Sequence, residues 1–82
     1  VKGEPLLSAQ VGDEIEVTMI VKEEEWILVK ASEIGLYPGN RFRVVEKKDS
    51  GDIVVEDKNG KRFEIPKVIA EQVLVNGRAH RT

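Results

Sequence analysis

Eighty-two residues, 40% apolar and 34% charged with no cysteine, suit one small globular domain and exclude a disulfide framework or a thiolate metal site. Thirteen basic against fifteen acidic residues leave a net charge of −2, which excludes nucleic-acid binding driven by bulk electrostatics. One Trp, one Tyr and two Phe leave most of the core to Val, Ile and Leu, whose branched side chains pack best on a pleated sheet.

Residues 1–5 read as a frayed lead-in, with Leu6 and Leu7 as the first apolar anchors. The chain begins on Val1, so a processed protein or a domain of a longer one is expected. Glu4 and Pro5 interrupt any signal-peptide core, and no apolar run approaches a membrane span, so a cytoplasmic location without membrane insertion is expected. Val11-Gly12-Asp13 reads as a turn. Alternation then begins, with Ile15, Val17, Met19 and Val21 on one face of a strand and Glu14, Glu16 and Thr18 on the other.

Glu23, Glu24 and Glu25 suit the first turn of a helix, where carboxylates meet the positive end of the dipole. Ile27, Ala31 and Ile34 follow at helical spacing; Trp26-Ile27-Leu28-Val29 fits a short strand as well, and helix is the preferred reading. Gly35 can end that helix with a positive φ, and Pro38 admits no helix through Tyr37. Pro38-Gly39 fits the centre of a turn, so Gly35, Leu36, Pro38 and Gly39 form a structural junction between helix and strand.

After the junction Phe42 and Val44 alternate with Arg41 and Arg43, Ile53 and Val55 pattern a further strand, and Phe63 and Ile65 another. Asn59-Gly60 between them is a hairpin signal, with both residues able to take positive φ. Pro66 ends that strand, one helical turn follows, and Val73 and Val75 make a last strand before a frayed tail at 76–82. The expected fold is mostly β: a small five-stranded barrel in one domain over 1–82, with a helical insertion at about 23–34 and a single helical turn at about 67–72.

Catalytic chemistry is missing from this pattern. His80 stands alone near the tail, the serines have no activating partner, the glycines are isolated turn residues, and no carboxylate sits in an apolar run that would raise its pKa. A non-enzyme with no cofactor is expected. Glu24 and Glu25 could offer hard oxygen ligands to a weakly held divalent ion such as iron or manganese, although a solvated helix start explains them more simply. Lys30, Arg41, Arg43, Lys47 and Lys48 form a basic strip, read either as the solvent face of an amphipathic strand or as a contact surface for an acidic partner, with Tyr37 close by. Trp26 is expected in the core, with an interface anchor as the alternative. Trp26, Lys30, Tyr37, Arg41 and Arg43 are thus the candidate partner-binding residues.

Taken in order, Leu7 and Gly12, Gly35-Leu36 with Pro38-Gly39, Phe42 and Val44, Gly51, Ile53 and Val55, and then Ala70, Val73 and Val75 resemble the FeoA family. The resemblance runs from about Leu6 to Val75 and extends to the C-terminal SH3-like domain of iron- and manganese-dependent repressors of the diphtheria-toxin-repressor type. It implies an SH3-like barrel and an accessory role in ferrous-iron uptake, exerted on the cytosolic part of a FeoB-type transporter. The alternative it implies is the C-terminal domain of a metal-dependent repressor. Where that family is usually rich in Arg and Leu, Trp26 to Ser32 carries one base, Lys30, which weakens transfer of a basic partner face. A generic SH3-like peptide binder ranks last, because four scattered aromatics do not make a groove for proline-rich ligands.

Overall fold

A computed structural model describes residues 3–78. The alternating segments all become strands: β2 (Glu14–Ile20), β3 (Arg41–Lys47), β4 (Ile53–Glu56), β5 (Arg62–Ile65) and β6 (Val73–Arg78). Helix α1 spans Glu25–Ile34 and the single turn α2 spans Lys67–Ala70, close to the expected bounds. A sixth strand, β1 (Glu4–Pro5), was not foreseen; it pairs with Val75 and Leu74 of β6, and a 3-10 turn at Leu6–Ser8 follows it. Pairing is antiparallel throughout, in the order β1-β6-β2-β3-β4-β5.

Both chain ends are therefore better ordered than expected over the described residues. Glu4 and Pro5 are held by β6, and residues 76–78 are held by β2 through Glu16↔Asn76, Ile15↔Gly77 and Glu14↔Arg78. His80 and residues 79–82 lie outside the described residues, as do residues 1–2.

The sheet curls around one apolar core. Ile15 and Val17 of β2, Phe42 and Val44 of β3, Ile53 and Val55 of β4, Ile65 of β5 and Val73 and Val75 of β6 are buried at alternate positions. Phe42 meets Phe63 edge to face, ring centroids 6.4 Å apart, although β4 runs between their strands. Leu6, Ile34, Leu36, Ile69 and Ala70, from outside the five long strands, join the same buried cluster.

The strict alternation expected along β2 fails at its end. The register moves from Val17↔Val75 to Met19↔Leu74, so Thr18 is an extra residue, and its hydroxyl donates to the Leu74 carbonyl at 2.9 Å. A bulge of this kind breaks the two-residue period. Ile20 packs against the core instead, while Met19 and Val21 stand 47% and 55% exposed. The hairpin at Asn59-Gly60 also differs from expectation, because only Gly60 has positive φ. Gly60 donates to the Asp57 carbonyl and Asp57 to that of Lys61, a turn closed by one left-handed glycine rather than two left-handed residues.

The junction after α1 is built as expected, with more detail. Gly35 (φ 93°) ends the helix, and the N–H groups of Gly35 and Leu36 both donate to the Ala31 carbonyl. Tyr37 N–H donates to the Gly35 carbonyl, and the Tyr37 hydroxyl donates to the Ser32 carbonyl at 3.0 Å. The Pro38-Gly39 turn closes through Asn40 N–H to Tyr37 O, and Gly39 N–H then donates to Val17 O. Gly39 sits at φ 91° with open space where a Cβ would stand. Gly39→Val is expected to lower stability by about 1–2 kcal/mol through backbone strain alone, and an unchanged thermal midpoint would contradict that backbone.

Candidate docking face

Ile27, Ala31 and Ile34 face the core, as their spacing predicts, and the opposite side of α1 carries a second apolar pair. Trp26 on that side is 52% exposed, as is Val29, so the expectation of a core Trp is corrected. Residue 26 falls one position off the buried stripe, and the core beneath α1 is already filled by smaller side chains. Trp26, Val29, Pro66 and Ile69 line an open groove of about 690 Å³ between α1 and α2, with Glu25, Lys30 and Glu33 along it.

The indole is held in place. Its Nε1 donates to Glu24 Oε1 at 2.8 Å, and Lys22 Nζ lies 3.1 Å from the other oxygen of the same carboxylate. Glu24 thus serves as the residue before the helix without accepting a capping hydrogen bond from its backbone. The indole N–H, with the Lys22 ammonium beside it, holds the Glu24 carboxyl below its ordinary 4.5. The charged form is therefore favoured in the folded protein, and the contact is present above the ordinary value and lost as pH falls through the lowered one. Trp26 emission should accordingly titrate with a midpoint below 4.5, and Glu24→Ala should abolish that transition. A midpoint at or above 4.5 would show that the contact does not form.

The basic strip does not survive as a patch. Arg41 pairs with Glu16 at 3.6 Å and Arg43 with Glu14 at 3.7 Å, partners brought opposite by the β2–β3 register. Lys48 pairs with Glu64 at 3.2 Å, a contact that raises the Lys48 pKa, and Lys47 donates to the Leu7 carbonyl. Lys30 lies 4.0 Å from Glu33. Of the candidate residues, Trp26 and Lys30 share the groove on α1, while Arg41 and Arg43 line a separate depression beside Glu14 and Glu56. Tyr37 lines neither and is tied to the end of α1. Val29, Pro66 and Ile69 were missed as groove residues; the signal for Val29 was its place one helical turn from Trp26.

Glu24 and Glu25 gain no companion ligand. Among the described residues no group of three or more His, Asp or Glu side chains could hold a metal ion, and Glu24 is already engaged by Lys22 and Trp26. No described helix is long and apolar enough to cross a membrane.

A curled antiparallel sheet, one short helix over its core and an apolar groove on the outside of that helix define a small SH3-like β domain. The chain belongs to the FeoA domain family, whose profile matches residues 4–77. It is similar to a crystal structure of an iron uptake regulatory protein, FeoA, at 29% identity, covering 95% of this chain and 100% of that one, with a TM-score of 0.80. A FeoA-like protein from Clostridium acetobutylicum shares the fold at 22% identity and a TM-score of 0.81, covering 100% of this chain and 94% of that one. IdeR of T. acidophilum matches at 27% identity and a TM-score of 0.81, over 95% of this chain but 35% of its own. No curated protein sequence matches this chain.

Proposed function

We propose that this domain is a non-enzymatic accessory module of ferrous-iron uptake, acting in the cytoplasm by docking on the cytosolic part of a FeoB-type transporter. The observation that carries the reading is the Trp26 indole. It is half exposed beside Val29, Pro66 and Ile69, yet fixed by Glu24, in a chain of the FeoA family. A large aromatic immobilised before binding loses little freedom on contact and buries much apolar area. Lys30 borders the same groove and sets its polar edge. Arg41, Arg43 and Tyr37, with their partners within the domain, take secondary places at most.

The test is binding of the chain to the cytosolic part of a FeoB-type transporter. Trp26→Ala is expected to weaken that binding by about tenfold to thirtyfold, roughly 1.4–2 kcal/mol. The fold should persist, since the indole lies outside the core. Absence of wild-type binding at high micromolar concentration would refute the reading.

A second reading, the SH3-like C-terminal domain of an iron- or manganese-dependent repressor, is favoured by the likeness to IdeR, of which this chain spans about a third. A winged helix-turn-helix encoded upstream in the same reading frame would decide for it.

A further inference from the structure

We infer that the groove between α1 and α2 receives a basic amphipathic helix, whose apolar side lies on Trp26, Val29, Pro66 and Ile69 and whose cations meet the carboxylates beside them. The inference rests on the reading of this face as the docking surface and adds the chemistry of what docks there. The groove floor is apolar, and its charged border is Glu25, Lys30 and Glu33. Lys30 is within ion-pair distance of Glu33, whereas Glu25 has no cationic partner among the described residues. Just before the helix, Glu23 likewise has none, and Lys22 is engaged by Glu24. Two carboxylates (Glu25, Glu33) and one ammonium (Lys30) thus border the groove, an excess of one negative charge, and Glu23 adds an unpaired carboxylate just before the helix.

Electrostatic complementarity then selects a basic occupant and disfavours an acidic one. The opposite choice, an acidic segment on the arginines of β3, meets Glu14 and Glu16 already paired with them. The groove is walled by side chains of two helices and presents no strand edge, so the occupant is held by its side chains rather than by added β pairing. An amphipathic helix, with apolar and charged residues on adjoining sides, offers that arrangement.

Trp26 is the only tryptophan, so its emission reports on the groove directly. The chain would be titrated with two synthetic helical peptides free of tryptophan, one of Leu and Lys and one of Leu and Glu. The Leu/Lys peptide is expected to give a saturable blue shift that weakens as salt rises, while the Leu/Glu peptide gives none. Glu25→Gln with Glu33→Gln should weaken binding by about fivefold. Glu14→Gln with Glu16→Gln, outside the groove, should leave it unchanged. Equal binding of the two peptides, insensitivity to the Glu25/Glu33 change, or a shift driven by protein concentration alone (a second copy as occupant) would each overturn the inference.

The same variants separate this inference from the transporter reading. If the transporter binds the wild-type chain and the Glu25/Glu33 variant alike, the basic occupant is refuted and the transporter stands. If the Leu/Lys peptide binds with the expected sensitivity and the transporter does not bind, the groove chemistry stands and the transporter reading falls.

Discussion

Leu36→Ala is expected to cost about 3 kcal/mol, within the range for emptying a filled core position. Leu36 is 1% exposed and follows the glycine that ends α1, where its N–H also donates to Ala31 O. The backbone bond survives the substitution, so the loss comes from the cavity and the lost apolar contacts. In a domain of this size that loss lowers the thermal midpoint by roughly 12–24 °C. A shift of only a few degrees would show that the core closes around the gap, or that Leu36 packs less tightly than its burial implies.

Gly35→Val should rank second, at about 2–4 kcal/mol, and should exceed Gly39→Val although the two glycines have nearly the same φ, 93° and 91°. The difference lies in what surrounds them. A Cβ on Gly35 would stand 3.3 Å from Asn40 Nδ2, the atom that donates to the Gly35 carbonyl at 2.6 Å. Making room costs part of that hydrogen bond, about 1 kcal/mol, on top of the strain. At Gly39 nothing stands in the way. Denaturant unfolding of both variants measures the gap, and equal losses would mean that Asn40 moves aside freely.

Most of the scaffold could be read from the residues because its signals are local. Gly35, Pro38 and Gly39 each impose a backbone angle, and the Phe42/Val44 and Ile53/Val55 alternations each define a face within a few residues. What escaped depended on distant partners. Glu4-Pro5 is too short to show a period and becomes a strand only because β6 lies beside it. Thr18 carries no mark of a bulge until Leu74 offers it a carbonyl. The site was legible in part. Trp26 and Lys30 were candidates and share a groove, whereas Arg41 and Arg43 gave a basic reading that Glu14 and Glu16 cancel across the β2–β3 pairing. Charge along one strand says nothing of the charge set opposite it.

The strand order has a consequence for the timing of folding. β6, the last strand in the described chain, lies between β1 and β2, the first two. During synthesis the β3–β4–β5 meander can zip from its own hairpins, but β1 has no partner and β2 has one bare edge until residues 73–78 emerge. Closing those pairs joins positions about sixty residues apart, such as Val17 and Val75, and such distant closure slows folding. The domain should therefore fold only once residues 73–78 are available, in milliseconds to seconds rather than microseconds.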